Sequence, residues 1–256
     1  MNNTEQEIGN NLYAFYDQVA QCQGIYSDNQ DQWSMISNHP GIWPRIIYRV
    51  SPGIVQVESY SALFKKVQEG IYPEVLIATG ENIHQTDPFL RSKGFFPFLG
   101  WKGMAREYAA DMAAPELPEE VQIVSLQLPE DRQQWARIVS TELIAPTQFD
   151  PALIESLRNS PGVELFLLKY KGVGISTMLV YDSGNSTGLY MIATDQSARR
   201  KGFAHLMVQQ IVWQVTQKSQ KPIILHATPK GEGLYAKSGF MPFNQFFLYR
   251  FLNTQV

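Results

Sequence analysis

Apolar residues recur three and four positions apart in several stretches of the chain, which is the spacing of one buried face of a helix. The first such stretch covers residues 4–23, and another begins at Phe203 and continues to Val215. The same spacing, together with capping residues at several starts, predicts helices over 4–23, 59–70, 129–144, 150–157, 203–215 and 231–238.

Short runs rich in β-branched and aromatic residues, bounded by glycine or proline, predict strands between these helices. Lys171 and Gly172 separate two of the runs and favour a hairpin turn there. Helices and strands are interleaved along the whole chain, which indicates a mixed α/β protein. The predicted strands cover 43–50, 74–79, 121–126, 163–170, 174–181, 188–194, 221–228 and 246–251.

A stretch with prolines and several acidic residues, near 105–120, separates the two halves of the chain. A length of 256 residues is also large for one ordinary domain. We therefore expect one domain over residues 1–112 and a second domain over residues 120–256.

A short glycine-aromatic motif occurs twice, as Lys-Gly-Phe-Phe-Pro-Phe over 93–98 and Ser-Gly-Phe-Met-Pro-Phe over 238–243. Gly94 and Gly239 are 145 positions apart (239 − 94 = 145), and an Ala-Thr pair precedes each motif, at 78–79 and 227–228. The first half is interpreted as a decayed second copy of the second half. The alternative is a chance match beside an unrelated α/β domain.

Composition narrows the class of protein. A hydrophobic content of 44% argues against disorder, and a net charge of −3 gives no reason to expect a nucleic-acid partner. The single cysteine, Cys22, excludes an internal disulfide and a multi-cysteine metal site, and we expect no bound metal. Neither a secretion signal nor an apolar run of about 20 residues is evident, so we expect a cytoplasmic protein without a membrane partner.

A basic turn with a glycine stands between the predicted strand 188–194 and the predicted helix 203–215. A helix that begins here presents unpaired backbone N–H groups, and the small residues Gly202 and Ala204 leave room for an anion beside them. The turn lacks the spacing of a P-loop and of the three-glycine dinucleotide motif. It predicts a phosphate site, although an ordinary solvated helix start has a similar composition.

Two motifs resemble signatures of the GNAT superfamily of N-acetyltransferases. Arg-x-x-Gly-x-Ala over 199–204 is similar to the family's pyrophosphate loop, and Leu-Tyr-Ala-Lys-Ser-Gly-Phe over 234–240 is similar to its second signature. The predicted elements over 120–254 also follow the order of that family. The resemblance implies the GNAT acyl-coenzyme A N-acyltransferase fold, a mixed central sheet flanked by helices, in two tandem copies.

The resemblance implies that the C-terminal copy is an acetyl-coenzyme A-dependent N-acetyltransferase. Its acceptor would be a primary amine of a small molecule or peptide, which attacks the thioester directly in a ternary complex. The N-terminal copy is interpreted as degenerate, since no such basic turn lies between Arg49 and Glu74 and Leu90 occupies the place of Tyr235. Coenzyme-binding residues implied by the resemblance are Ile192, Ala193 and Thr194 for the pantetheine arm, and Arg199, Arg200, Lys201, Gly202, Phe203 and Ala204 for the pyrophosphate.

Tyr235 matches the tyrosine that acts as general acid toward the thiolate in many members of the family. The alternatives are a role in positioning the coenzyme and a packed core tyrosine. The strand 188–194 contains no carboxylate that could serve as general base, which leaves His226 and Glu142 as candidates. Each also has a structural interpretation, and deprotonation through water stays open.

Some positions depart from the family pattern, including Thr194-Asp195-Gln196 where Val-x-Pro is common, and Thr228 and Gly231 before the second signature. These positions lie in the implied pantetheine and acceptor regions. Two other functions therefore stay open, a non-catalytic acyl-coenzyme A-binding regulatory module and a purely structural tandem domain. The sequence specifies neither the acceptor nor whether the chain forms a homodimer.

Overall fold

The computed structural model of the chain describes residues 3–50, 59–80, 83–110 and 112–253. Seven α-helices are present in these ranges, and a single 3₁₀ turn, Gln196–Ala198, precedes the sixth of them. The helices are α1 (Asn3–Ala20), α2 (Ser59–Gln68), α3 (Ile83–Ser92), α4 (Pro129–Glu142), α5 (Pro151–Arg158), α6 (Phe203–Lys218) and α7 (Glu232–Lys237).

Thirteen strands lie in the described ranges. Those of the second half agree with the predicted strands to within about five residues, except for the two-residue β8, which was not predicted. The first half holds further elements that the sequence pattern did not predict, namely β1, β2, α3 and β6. The strands are β1 (Tyr26–Gln30), β2 (Trp33–Ser37), β3 (Ile42–Trp43), β4 (Arg45–Tyr48), β5 (Val75–Thr79), β6 (Phe95–Arg106), β7 (Val121–Ser125), β8 (Gln148–Phe149), β9 (Val163–Tyr170), β10 (Val173–Asp182), β11 (Thr187–Thr194), β12 (Ile223–Ala227) and β13 (Met241–Phe251).

Eleven of these strands form one mixed sheet in the order β1-β2-β4-β5-β13-β6-β12-β11-β10-β9-β7. Alternate residues of a strand face opposite sides, so each strand contributes to two cores. Ile224 packs in the core beneath α1, α4 and α5, whereas its neighbour Leu225 packs beneath α6 and α7. In the first half, α2 and α3 cover the corresponding face. The fold is therefore a mixed α/β sheet with helices on both faces, as expected.

The last strand of each half lies in the sheet of the other half. β13, at the end of the chain, pairs with β5 and β6 of the first half, and β6 in turn pairs with β12 of the second. All these pairings are antiparallel, while β4 with β5 and β11 with β12 are parallel. Neither half therefore holds all the strands of its own part of the sheet.

The exchanged strands are related by a local two-fold axis. Phe246 in β13 lies opposite Trp101 in β6, and the two are 145 positions apart (246 − 101 = 145), as are Gly94 and Gly239. A shift of 145 positions exchanges the two members of this pair, so the pair lies at the centre of the two-fold relation. The same shift relates the pair Met241–Ala105 to the pair Arg250–Phe96, and the pair Pro242–Met104 to the pair Tyr249–Pro97.

Unusual backbone conformations repeat at corresponding positions. Arg49 and Met191 have φ values of 55° and 49°, a region that is uncommon for residues with a side chain. Each stands two positions beyond the last residue paired with the neighbouring parallel strand, Ile47 or Leu189. The halves thus share backbone geometry as well as sheet order, and the repeat expected from the sequence is present in the structure.

A cut in the segment between β6 and β7 is expected to leave neither half folded alone. Removal of residues 1–115 would take away β6, so β12 and β13 would both lose a neighbour and expose unpaired edges. Expressed separately, the two fragments should aggregate or lack a cooperative thermal transition; expressed together, they should form a complex. A fragment 116–256 that unfolds cooperatively at the temperature of the intact chain would contradict this expectation.

Candidate active site

Strands β11 and β12 separate near the middle of the sheet. Their parallel pairing covers Thr187–Leu189 with Ile223–Leu225 and ends there, while β11 continues to Thr194 and β12 to Ala227. Among the described residues, no strand pairs with the β12-facing edge of β11 beyond Leu189. An extended ligand with amide groups can bind to such an edge as an additional strand does.

A bulge in β11 lies at the point where the strands separate. Thr177 pairs with Ala193 and Leu179 pairs with Tyr190, so Met178 alone lies opposite two residues. The left-handed backbone of Met191 absorbs the extra residue. Two buried hydroxyl groups fix this shape, because Thr177 Oγ1 donates to the Met191 carbonyl and Ser176 Oγ to that of Ala193, each at 2.8 Å.

The turn from β11 to α6 exposes a row of backbone donors. Arg200 and Gly202 have φ values of 62° and 85°, and α6 begins at Phe203. The N–H groups of residues 200–205 form no hydrogen bond with any residue that the structure describes. Successive free N–H groups at the positive end of a helix dipole form a concave anion site. The turn that the sequence predicted as a phosphate site therefore has the necessary backbone geometry.

The three basic side chains of the turn differ in their contacts. Arg199 is not free, since its guanidinium binds the Glu142 carboxylate and donates from Nε to the Thr194 carbonyl at 3.1 Å. Lys201 Nζ donates to the Ser197 carbonyl at 3.1 Å. Arg200 forms no ion pair within the described residues and remains available to an anion. Arg199 thus fixes the shape of the turn.

Glu142, a candidate general base, lies at the end of α4 and is bound on two sides. Besides Arg199, its carboxylate accepts the backbone N–H of Gln196 at 3.1 Å, and only 14% of the side chain is exposed. Each carboxylate oxygen has a partner, since Oε1 accepts from Gln196 and Oε2 from Arg199. The contacts indicate a clamp between α4 and the phosphate turn, so we do not carry Glu142 forward as a base.

Tyr235 lies on α7, on the face of the sheet covered by α6. It is 8% exposed, packs edge-on against Phe240 with ring centroids 6.2 Å apart, and shares a core with Ala198 and Ala227. Burial raises the pKa of its phenol above the ordinary value of 10. The hydroxyl therefore carries its proton at neutral pH, and no described residue accepts a hydrogen bond from it.

A comparison with protein-family models matches residues 139–248 to the family described as "Acetyltransferase (GNAT) domain". This match covers 110 of the 256 residues (248 − 139 + 1 = 110) and assigns a GNAT domain to that part of the second half. The match contains the open edge of β11, the phosphate turn and Tyr235. A comparison with curated protein sequences gives no match.

Solved structures of GNAT proteins are similar over the whole chain. A GCN5-related N-acetyltransferase from Kribbella flavida has a TM-score of 0.67 at 15% identity, covering 100% of this chain and 98% of the other. One from Sphaerobacter thermophilus has a TM-score of 0.62 at 15% identity, covering 87% and 81%. A tandem GNAT protein from the clavulanic acid biosynthesis pathway has a TM-score of 0.59 at 12% identity, covering 94% of each chain. At these identities the likeness shows the fold, including its tandem arrangement.

His226 of the GNAT domain lies on the opposite face of the sheet from Tyr235. It is the first residue of β12 beyond the part that pairs with β11. Three aromatic rings surround it, those of Trp101, Tyr190 and Phe246. Both ring nitrogens are shielded from solvent and have no hydrogen-bond partner among the described residues. Desolvation lowers the pKa of this histidine to about 3. A base without access to water or a polar partner is poorly placed to accept a proton, so we do not carry His226 forward either.

A buried asparagine joins the first half to the GNAT domain, and the sequence analysis did not identify it. Asn11, on the apolar face of α1, is fully buried. Its amide donates to the Ser186 carbonyl at 2.9 Å and accepts from the Tyr190 hydroxyl at 2.6 Å. These bonds hold α1 against β11 beside the bulge. A polar residue between Leu12 and Ile8 in an apolar stripe was the available signal in the sequence.

Over the described ranges, groups of three or more histidine, cysteine or carboxylate side chains close enough to bind a metal ion do not occur. The helices of the same ranges are too short or too polar to cross a bilayer.

The pKa of His226 predicts a pH-dependent contribution to stability. The pKa of His226 is about 3 in the folded chain and 6.5 in the unfolded chain. Below pH 6.5 the unfolded chain therefore binds a proton that the folded chain does not, and the free energy of unfolding decreases as the pH is lowered. Between pH 7.5 and pH 5 the loss from this one group is about 2 kcal/mol. His226→Phe should therefore lose less unfolding free energy over this range in urea denaturation. Equal losses in the variant and the wild type would contradict the assignment, and His84→Phe, at an exposed position, controls for loss of a histidine.

Proposed function

We propose that the chain is an acetyl-coenzyme A-dependent N-acetyltransferase that transfers the acetyl group to a primary amine by direct attack in a ternary complex. One observation carries the proposal: the free N–H groups of residues 200–205 lie at the end of the strand whose edge is open. This combination matches a ligand with a pyrophosphate at one end and an amide-containing arm at the other.

The residues of the second half divide the binding of the coenzyme between them. In the proposal, the pyrophosphate binds the N–H groups of Lys201, Gly202, Phe203 and Ala204 with the side chain of Arg200, while Arg199 holds the turn in shape. The backbone of Ile192, Ala193 and Thr194 binds the pantetheine arm along the open edge. The coenzyme, when bound, supplies the acetyl group as an activated thioester.

Tyr235 is the proposed proton donor. Burial keeps its hydroxyl protonated, and the hydroxyl has no partner to compete with a developing thiolate. Tyr235 and α6 lie on the same face of the sheet, where they share one core. In the proposal, the start of α6 binds the phosphates of the coenzyme. Positioning of the two substrates supplies much of the remaining rate.

Deprotonation of the incoming ammonium is proposed to occur through water. Glu142 is held by Arg199, and His226 is enclosed by aromatic rings, so neither side chain offers a free basic atom at the open edge. An amine with a pKa near 10.4 contains a small neutral fraction at pH 7 to 8, which can attack directly. The rate should therefore rise with pH as that fraction grows.

In the proposed organisation, residues 120–256 form the catalytic unit and residues 1–112 a degenerate copy. The first half still supplies parts of the working sheet, since β6 flanks β12 and Asn11 binds Tyr190. The stretch that would correspond to the phosphate turn includes residues 51–58, which lie outside the described residues. Arg49, in the position of Met191, is held by the Asp17 carboxylate.

A negative charge at the phosphate turn is expected to weaken coenzyme binding. Gly202→Glu should weaken acetyl-coenzyme A binding at least about tenfold, measured by isothermal titration, because the carboxylate repels the pyrophosphate. Gly184→Glu is the matched control, since Gly184 also has a positive φ, 96° against 85°, and neither glycine has an atom within 4 Å of an added Cβ.

Equal weakening by the two glutamate variants would assign the loss to backbone strain and would argue against this site. Absence of acetyl-coenzyme A binding by the wild type would overturn the proposed function and favour a structural tandem domain.

Removal of the Tyr235 hydroxyl is expected to slow transfer and to leave binding nearly intact. Tyr235→Phe should lower the rate of thiol release by about 10²-fold with a panel of primary amines and a lysine-containing peptide. The dissociation constant for acetyl-coenzyme A should change less than threefold. Tyr249→Phe, which removes a buried hydroxyl bound to Asp87 in the other half, controls for general loss of packing.

A parallel fall in affinity and rate would instead make Tyr235 a coenzyme-positioning residue. Binding of the coenzyme without transfer to any amine would favour the alternative, a non-catalytic acyl-coenzyme A-binding regulatory module. The amine panel also distinguishes a small-molecule acceptor from a peptide acceptor.

A further inference from the structure

A cavity of about 720 Å³ lies on the far side of α1 from the open edge of β11. One side of α1 presents Asn11 and Phe15 to β11, and another side lines the cavity. The cavity floor is the end of β5 and the middle of β13. Its volume falls within the range of small-molecule sites in proteins. The lining residues are Glu5, Gln6, Gly9, Asn10, Tyr13, Thr79, Gly80, Asn244, Gln245 and Phe246.

The repeat relates the cavity floor to the acetyl-transfer region of the second half. An offset of 149 positions relates β5 to β12 (227 − 78 = 149), so Thr79 corresponds to Thr228 at the end of β12. Phe246 corresponds to Trp101, which contacts His226. The cavity is therefore the first half's version of the space beside the end of β12, where the proposed reaction brings the amine.

The coenzyme side of the first half holds an ion pair where the second half has an apolar residue. Arg49 stands where Met191 stands in the second half, and its guanidinium binds Asp17 and lies 5.7 Å from the centre of the Tyr13 ring. The side chain lies over the Tyr48 ring as well, at 5.6 Å. These contacts join the end of β4 to α1.

The lining chemistry favours a polar amine over an anion. Of the described lining residues, none is a lysine or arginine, so coenzyme phosphates would find no cationic side chain among them. Glu5 is the carboxylate among these residues, and it forms no ion pair with the described part of the chain. Three amide side chains, at positions 6, 10 and 245, can each donate and accept hydrogen bonds, as hydroxyl groups of a ligand do, while the Asn244 amide donates to the Glu5 carbonyl at 3.1 Å. The rings of Tyr13 and Phe246 add apolar surface.

We infer that this cavity is a second ligand site, which binds a small polyhydroxylated primary amine and binds no coenzyme. The ammonium group binds Glu5, and the hydroxyl groups bind the amide side chains. In this inference the first half has kept an amine-binding side, to which β13 of the second half contributes Asn244, Gln245 and Phe246. The inference does not require transfer activity in the second half.

Gly9 allows the site to be filled without damage to the fold. It lies within α1 and lines the cavity, and a Cβ built there meets a single atom within 4 Å, Cε2 of Tyr13 at 4.0 Å. Both Gly9→Ala and Gly9→Leu should raise the stability of α1, but only the leucine side chain should fill the cavity. A comparison of the two variants therefore distinguishes blocking of the cavity from an effect on folding.

The test is a titration of the intact protein with D-glucosamine by isothermal calorimetry or ligand-observed NMR. The wild type and Gly9→Ala should bind glucosamine alike, and Gly9→Leu should bind it at least about tenfold more weakly. Glu5→Gln should weaken binding to a similar extent, while Glu7→Gln, which removes the same charge from the side of α1 that faces Ser186, should not. N-acetylglucosamine, which lacks the ammonium group, should bind more weakly than glucosamine.

Absence of glucosamine binding by the wild type, or equal binding by Gly9→Leu, would overturn the inference. Equal binding by Glu5→Gln would overturn the role of the ammonium group. Acetyl-coenzyme A titrated into the same variants reports on the other site, so failure of the proposed function and failure of this inference are distinguishable. Each variant should still bind acetyl-coenzyme A as the wild type does.

Discussion

The pairing of β6 with β13 is the interaction on which the rest of the structure depends. It joins the two halves of the sheet at the Trp101–Phe246 pair, and it determines which strand lies beside β12. The two-fold relation places the end of β5 and the end of β12 at the same height on either side of this centre. As a result, one half's open cleft and the other half's cavity are built from equivalent parts of the sheet.

The same backbone supports different chemistry in the two halves because a few side chains differ. In the second half, Met191 leaves the edge of β11 open and a row of N–H groups follows. In the first half, Arg49 has nearly the same φ and forms an ion pair with Asp17. The sheet order and the left-handed backbone at this position are thus common to the two halves, while the side chains there differ.

Sequence patterns predicted the second half well because its strands are apolar and its helices are strongly periodic. The first half was harder for physical reasons. β1 consists mostly of polar residues on an exposed edge, and β6 contains Pro97, Gly100 and Gly103, which are unusual within a strand. Gly103 is required there because a Cβ would meet Ile8 and Asn244. Such a requirement arises from packing with distant segments, and local spacing does not encode it.

The motif residues of the phosphate turn and Tyr235 were accessible from sequence because their spacing is local. Their partners were not. The contact of Arg199 with Glu142 and that of Asn11 with Tyr190 join residues 57 and 179 positions apart. The enclosure of His226 likewise depends on Trp101 from the first half. Sequence could therefore name candidates for a base, and only the fold could show how each is surrounded.

The exchange of β13 also has a consequence for the order in which the molecule is completed. During synthesis the first half emerges from the ribosome with β5 and β6 separated by the width of an absent strand. That gap is filled only by Met241–Phe251, which is made after all the other described strands. Both halves must therefore wait for the same late segment, and the nascent first half is exposed to aggregation until that segment arrives.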